Sequence, residues 1–364
     1  MNFFISSIFK IIALLFCLLS LPITAQTTDS SSQYTIRSIK LIGNKKTKDK
    51  IILRELVKKE GDTLTLKYHP HIKLRSEYNI FNTQLFIFDS ILSTVNDSSR
   101  TIDYTIKLKE RWYIWPIPFV DYLDRNINSW WQTKEVSRLA VGMQINFENF
   151  SGVKDWLLIQ FRVGYANQFV INYRLPYLNK KQTLGTYVQY SYNEFNKISY
   201  ATLNNKQQFV TDENEHVRTD NSIRAGVFYR PRLFQYHSFD VGAYQINVSP
   251  FLRSFNTDYL LNQSNKLSFI NLTYRASFDN RDNKIYPLKG TVLDLIISKD
   301  GLNLSEQSPL NYAATLFTYK QFLPIHKKLN FATLWRTRLV NIDKKVPYIY
   351  NQALGYSNFI RGYE

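Results

Sequence analysis

The 364-residue sequence predicts a mainly β protein, with a small α+β domain at residues 34–110 and an antiparallel transmembrane β-barrel at residues 111–364. Three observations support this fold class. Helical periodicity ends near residue 111. Beyond it, apolar and polar residues alternate over runs of about ten residues, the length of a tilted membrane-spanning strand. Tyr and Phe each occur 25 times, which suits strands that are apolar on only one face.

Residues 1–25 are typical of a secretory signal peptide. Lys10 supplies the positive charge near the N-terminus, residues 11–19 form the apolar core, and Ala25 is the small residue expected before the cleavage site. The apolar core is too short to span a membrane comfortably, which disfavours a membrane anchor, and a lipoprotein leader is the remaining alternative. Residues 26–33 are rich in Ser and Thr and predict a flexible lead-in.

The formal net charge is +17, but the basic residues are scattered along the chain and form no dense run. This pattern disfavours nucleic acid as a partner and favours phosphorylated lipid headgroups or simple solubility. The only cysteine, Cys17, lies in the predicted leader. The mature chain therefore has no disulfide, thiolate metal site or cysteine nucleophile.

The small domain is predicted from alternation and from helix signals. Thr47 is the expected N-cap of a first helix, which Gly61 should end. A second helix is expected near residues 67–80. Strands are expected at 34–42, 86–95 and 101–108, so the order is β-α-α-β-β.

The remaining sequence predicts about eleven strands joined by alternately short and long connections. A soluble sandwich would also alternate, but the strand lengths and the Arg, Gln, Asn and Gly on the polar faces favour a barrel around water. Five aromatic residues are expected at the membrane–water interfaces, namely Trp112, Tyr113, Trp115, Trp130 and Trp131. The expected strands are 112–122, 136–148, 154–166, 168–178, 182–195, 221–231, 236–249, 265–280, 289–299, 309–322 and 327–341.

Two motifs stand at the end of the sequence. The first comprises Asp279, Arg281, Asp282, Pro287 and Gly290, and the second comprises Ile360, Arg361, Gly362 and Tyr363. Together they resemble motifs of the BamA/TamA superfamily of outer-membrane insertases and transporters, the bacterial surface antigen family. The β-α-α-β-β segment resembles a POTRA domain.

The resemblance implies a barrel of about sixteen strands. Its sixth extracellular loop carries the arginine motif and folds back into the barrel. The sequence would then contain about eleven of those strands and stop on that loop, as a fragment or a truncated product. The family's acidic partner of Arg361 would lie beyond residue 364. Asp279, Arg281 and Asp282 could form a network that gates the barrel, or one that only stabilises it.

The resemblance further implies a function in outer-membrane protein insertion or translocation, with the N-terminal domain in the periplasm. The implied partners are unfolded outer-membrane or secreted clients, outer-membrane lipids including lipopolysaccharide, and accessory lipoproteins. No enzyme activity, cofactor, metal or nucleic acid is expected. One alternative is a passive pore or surface antigen. Another is a hydrolase at the barrel rim that uses His237 or His326.

Overall fold

The computed structural model describes residues 33–122, 130–131, 134–179, 181–204, 206–212, 215–232, 234–302, 310–326, 328–342 and 346–351. The predicted signal peptide and the motif at Ile360, Arg361, Gly362 and Tyr363 lie outside these residues. The chain forms two compact units. The first contains residues up to Ile42, Glu55–Asn82 and Asp89–Leu108, and the second contains Gly43–Arg54, Thr83–Phe88 and the chain from Lys109 onward.

The N-terminal part of the chain folds into a four-stranded sheet with strand order β2-β1-β4-β3. Strand β1 is parallel to β4 and antiparallel to β2. Strand β4 forms because every second residue is apolar, and Ile102, Tyr104 and Ile106 are buried in turn. The elements are β1 Gln33–Ile42, α1 Asp49–Leu53, β2 Thr63–Thr65, α2 His69–Phe81, β3 Phe86–Asn96 and β4 Thr101–Glu110.

Two details of the first helix differ from the prediction. Lys48, not Thr47, is the N-cap of α1, and no side chain caps it. The helix also ends at Leu53 rather than continuing towards Gly61. The predicted N-cap is wrong because the Thr47 side chain is used elsewhere: it is buried and bonded to residues of the second unit. The short strand β2 was not predicted.

The second unit contains an eleven-stranded antiparallel sheet, which confirms the predicted fold class and strand number in the part of the chain that the structure describes. Its order is β17-β16-β15-β14-β13-β12-β9-β8-β7-β6-β5. The strands are β5 Ile114–Tyr122, β6 Leu139–Glu148, β7 Trp156–Gly164, β8 Ala166–Leu175, β9 Leu184–Phe195, β12 Arg218–Tyr229, β13 Gln235–Val248, β14 Lys266–Asp279, β15 Gly290–Asp300, β16 Tyr312–His326 and β17 Leu329–Ile342.

The connections lie alternately at two ends of this sheet. We call the end at which β5 begins the turn end, because its connections are short. The opposite end is the loop end. The turn-end connections are 149–155, 176–183, 230–234, 280–289 and 327–328, and the loop-end connections are 123–138, 165, 196–217, 249–265 and 301–311.

The loop end is more ordered than its polar sequence suggests. The connection expected to be long after Asn196 is long, and it contains a hairpin of β10 Lys197–Leu203 and β11 Lys206–Thr211 that the sequence did not predict. The next long connection contains helix α3, Pro250–Phe255. We call their shared core the loop-end cluster, and its buried residues are Ile198, Val210, Val217, Ile246, Val248, Leu252, Tyr259, Leu260, Leu267, Leu310, Tyr312 and Ala314.

Candidate functional site

One face of the eleven-stranded sheet carries exposed apolar side chains. Strand register places them side by side, as with Val141 opposite Val163 and Phe161 opposite Phe169. Phe161 is 44% exposed, although it lies within a strand flanked by two others. A soluble sandwich would bury this face against a second sheet. The exposed apolar face is instead what a strand needs when hydrocarbon is its solvent.

The other face is polar and connected by hydrogen bonds. Gln160 Nε2 donates to Gln168 Oε1 at 2.8 Å, and Gln168 Nε2 donates to Asn193 Oδ1 at 2.7 Å. Arg162 Nη1 donates to Asp121 Oδ2 at 2.7 Å, so a charged group on this face has a partner on a strand two places away. Because amide and charged groups are stable beside water, this face suits an aqueous interior.

A group of polar residues joins the segment before α1 to the turn-end connection 149–155, all within the second unit. The Thr47 amide donates to the Glu110 carboxylate at 2.6 Å, and Asn149 Nδ2 donates to Thr47 Oγ1 at 2.9 Å. Tyr113 Oη lies 3.2 Å from Thr47 Oγ1 and donates to the Leu85 carbonyl at 2.8 Å. We call Thr47, Glu110, Tyr113 and Asn149 the turn-end clamp. Burial raises the pKa of the Tyr113 hydroxyl, which remains a neutral donor.

Gly152 lies beside the turn-end clamp and makes a close backbone contact with the segment before α1. Its carbonyl accepts a hydrogen bond of 2.9 Å from the Lys48 amide, its φ is +84°, and an added Cβ would overlap the Lys46 carbonyl oxygen. We expect Gly152→Ala to destabilise the second unit by about 1–3 kcal/mol in urea unfolding, because it adds a steric clash to backbone strain. Gly61→Ala is the control for backbone strain alone, measured as unfolding of the first unit that contains it, since Gly61 has φ +86° and nothing within 4 Å of an added Cβ. Equal losses in both variants would show that the close approach is unimportant.

The five aromatic residues predicted at the membrane interfaces occupy different environments. Trp112 and Trp131 are exposed and lie at opposite ends of β5 along the chain. Trp130 packs edge-on against Trp131, with a distance of 6.1 Å between the ring centroids. Tyr113 is buried in the turn-end clamp. Trp115 pairs in register with Asn146 and so lies on the polar face, with the Arg111 guanidinium 5.6 Å from its ring.

The motif from Asp279 to Gly290 forms the connection between β14 and β15. Arg281 makes a bidentate pair with Asp279, from Nε at 2.9 Å and from Nη2 at 2.8 Å. Gly290 has φ +119°, and a Cβ there would lie 2.7 Å from Arg281 Cα. The five motif residues, including Asp282 and Pro287, therefore belong to one compact turn.

Asp282 organises the second half of this turn. Its Oδ1 accepts hydrogen bonds from the amides of Asn283, Leu288 and Lys289 at 2.8, 3.1 and 3.2 Å. These backbone donors, Lys289 foremost, hold the pKa of Asp282 below its usual value. We expect Asp282→Ala to speed hydrogen exchange at the Leu288 and Lys289 amides. Asp282→Asn keeps an acceptor oxygen and should have a smaller effect; equal acceleration in both variants would contradict this role.

No protein-family model matches the sequence, and no curated protein is similar to it. Among solved structures, the fold is similar to that of BamA from Haemophilus ducreyi lacking POTRA domains 1–3, with a TM-score of 0.64 and 15% sequence identity. The match covers 89% of this chain and 59% of that one. The chain has the fold of BamA.

Two CdiB proteins are more distant matches. CdiB from Acinetobacter baumannii has a TM-score of 0.41 and 14% identity, and the match covers 87% of this chain and 54% of that one. CdiB from Escherichia coli has a TM-score of 0.41 and 9% identity, with 88% and 71% covered. The BamA structure confirms the expected resemblance at the level of the fold.

The described residues contain no group of three His, Cys, Asp or Glu side chains that could hold a metal ion. Nor is any described helix both long and apolar enough to cross a bilayer. His237, named in the hydrolase alternative, shares the apolar face with Phe239, and its Nδ1 is 2.9 Å from Tyr274 Oη. Ser277 and Asp294 are paired with each other on the polar face.

Proposed function

We propose that this chain is an outer-membrane member of the BamA/TamA superfamily and that it inserts or translocates β-rich client proteins without enzymatic chemistry. The observation that carries the proposal is the eleven-stranded antiparallel sheet, apolar on one face and hydrogen-bonded on the other, with the fold of BamA. Exposed apolar strands are costly in water and stable in hydrocarbon. The polar face then lines the aqueous interior.

The strand dimensions support a position across a bilayer. The strands of this sheet have between 9 residues, as in β5, and 15 residues, as in β16. A tilted strand needs about 9–11 residues to cross the hydrocarbon core. Trp112 before β5 and Trp131 after it would then lie near opposite interfaces. We place the turn end in the periplasm and the loop end at the cell surface, where lipopolysaccharide is the neighbouring lipid.

The four-stranded sheet supports a role in holding clients. Strand β3 is one of its edges, has eleven residues, and pairs with no described strand other than β4. An extended client segment can add to such an edge through backbone hydrogen bonds, which require little sequence specificity. We propose that this sheet is a POTRA-like domain in the periplasm and that it receives clients on β3. The hypothesis also includes accessory lipoproteins as partners and the motif around Arg361 as part of an extracellular loop.

The test is photocrosslinking to a defined client. A crosslinking amino acid replaces Leu92 on β3 or, as the control, Leu74 on α2; their exposed fractions are 46% and 45%. An unfolded eight-stranded barrel protein is diluted from urea into the full chain in lipid vesicles. We expect crosslinks from position 92 and few from position 74. Equal or absent crosslinking at both positions would contradict strand capture by β3.

Client assembly in the same vesicles separates an insertase from a passive pore. An insertase should speed the appearance of a folded, protease-resistant client. A pore should conduct ions and leave the folding rate of the client unchanged. Conductance without any acceleration of folding would favour the pore.

A further inference from the structure

The two ends of the eleven-stranded sheet differ in charge. The five turn-end connections together contain ten Lys or Arg residues and two Asp or Glu residues. The five loop-end connections contain six Lys or Arg residues and seven Asp or Glu residues. The net charge of +17 could be carried anywhere on the chain, so its concentration at one end of the sheet needs a physical reason.

The two acidic residues of the turn end are used within their own turns. Asp155 is buried and accepts hydrogen bonds from the Ser151 amide at 2.9 Å and from Tyr173 Oη at 2.8 Å. Asp282 accepts hydrogen bonds from backbone amides of its own turn. Among the described residues neither carboxylate forms an ion pair with a turn-end cation, so these cations are left uncompensated by them.

The turn-end cations form a continuous row, which we call the basic rim. Arg281 is left out of it because it is paired with Asp279. All five connections contribute, and every member is exposed except Lys154, which is half-buried: Lys154, Lys181, Arg230, Arg232, Lys284, Lys289 and Lys328. Successive turns are two strand spacings apart, about 10 Å. This separation is close to the screening length of physiological salt, so the potentials of neighbouring turns add together.

Apolar and aromatic side chains lie among the cations of the basic rim. Phe234 and Tyr286 belong to two of its turns and are exposed. Two cations meet at the ring of Tyr177, with Lys154 Nζ 5.3 Å and the Arg54 guanidinium carbon 4.9 Å from the ring centroid. Cations beside exposed aromatic residues are typical of segments that lie at a membrane–water interface.

We propose that the basic rim is a docking surface for the anionic phospholipid headgroups of the membrane leaflet that it faces. The proposal rests on the proposed function only for its location, since the turn end then faces the periplasmic leaflet. Lipid phosphates supply the negative charge that the turns lack, and each nearby Lys or Arg is attracted to such a surface. The contact holds the turn end at the level of the headgroups.

Two features favour a lipid surface over an acidic protein as the partner. First, the basic rim follows the sheet over eight strand spacings, about 40 Å, with charge in every turn. A protein partner of ordinary size buries only about 800 Å² on each side, which is a more compact patch than this row. Second, the row follows the ends of the strands, which is the line where the sheet leaves the hydrocarbon.

The test compares two lipids in vesicles that contain the full chain. Spin-labelled phosphatidylglycerol, which is anionic, or spin-labelled phosphatidylcholine, which has no net charge, is added to phosphatidylcholine vesicles. Electron paramagnetic resonance then gives the association constant of each lipid with the protein. We expect phosphatidylglycerol to be preferred by about fivefold at low salt, the effect of about one cation per headgroup. Salt at about 1 M should remove most of the preference, because the screening length falls to about 3 Å.

Two triple variants locate the preference at one end of the sheet. Each removes two exposed lysines and one exposed arginine, so the two variants have the same net charge. The turn-end triple is Lys181→Gln, Arg232→Gln and Lys328→Gln. The loop-end triple is the matched control and comprises Lys134→Gln, Arg253→Gln and Lys266→Gln. We expect the turn-end triple to lower the preference by about twofold or more and the loop-end triple to leave it unchanged.

A charge-preserving triple, Lys181→Arg, Arg232→Lys and Lys328→Arg, should retain the preference, which separates charge from a structural role of these side chains. The proposal would be overturned by a lack of preference in the original chain, or by equal losses in the turn-end and loop-end triples. Binding of a soluble hexaglutamate peptide without any lipid preference would also overturn it, because the basic rim would then suit an acidic protein.

The lipid preference is measured without a client, so its failure can be distinguished from failure of the proposed function. Client assembly by a chain that has no lipid preference would refute only the docking surface. A lipid preference without client assembly would refute the insertase function and leave the docking surface in place.

Discussion

Replacing Phe161 with arginine is expected to prevent stable membrane insertion, whereas replacing the adjacent Gln160 with arginine should be tolerated. Phe161 lies on the exposed apolar face, and Gln160 lies on the polar face, where it pairs with Gln168. An arginine facing lipid near the middle of the bilayer costs about 2–4 kcal/mol, while one facing an aqueous interior costs little. Arginine at two neighbouring positions of one strand is thus expected to have opposite effects on membrane insertion.

The measurement is the fraction of chain that stays in lipid vesicles after urea extraction and resists protease. Gln160→Arg is the internal control, because it adds the same side chain to the same strand and the polar face already holds Arg162. If Gln160→Arg failed to insert while Phe161→Arg inserted normally, the assignment of the two faces to lipid and water would be reversed. The apolar face would then be the interior of a soluble sandwich, and the proposed function would be lost.

The strands of the large sheet could be predicted because their signal is local. Alternation within β7 or β13 reports which side faces lipid without knowledge of any partner strand. The eleven predicted spans accordingly correspond one to one with the observed strands, with differences of a few residues at their ends. The single-residue connection at Tyr165 shows that the pattern of long loop-end connections has an exception.

Side-chain roles that depend on register or on distant segments could not be predicted. Trp115 resembles Trp112 in sequence, yet the β5–β6 register puts Trp115 beside Asn146 on the polar face. Thr47 has the sequence context of a helix cap, but its hydroxyl bonds Asn149, about a hundred residues away in the chain. The residues of the turn-end clamp follow no periodic pattern in the sequence, so the sequence alone does not indicate that they are in contact.

The loop-end cluster was missed for a related reason. Its hairpin and helix are each too short for a clear period, and their apolar residues are buried against one another and against the ends of the sheet strands. Val217, Leu252 and Leu310 lie far apart in sequence and are all almost fully buried. Each loop sequence, taken alone, is a polar connection with a few apolar residues. The core exists only when the loops are brought together by the strands beneath them.

Removing the Leu252 side chain tests whether these loops form one cooperative core. Leu252 is 0% exposed, and α3 is fixed by Ser249, whose Oγ accepts a hydrogen bond from the Leu252 amide at 3.2 Å. We expect Leu252→Ala to destabilise the loop-end cluster by about 2–5 kcal/mol, from lost burial and the cavity that remains. Phe251→Ala removes a larger side chain that is 40% exposed, so it should cost much less.

Hydrogen exchange in vesicles gives the measurement, with separate values for α3, for the β10–β11 hairpin and for the central residues of the strands. If the loops share one core, Leu252→Ala should raise exchange in α3 and in the hairpin together. The central strand amides should be unaffected, since neighbouring strands bond them within the sheet. Faster exchange confined to α3 would show that the loops are independent. The loop end would then be a set of separate connections, and a surface formed jointly by several loops could not be maintained there.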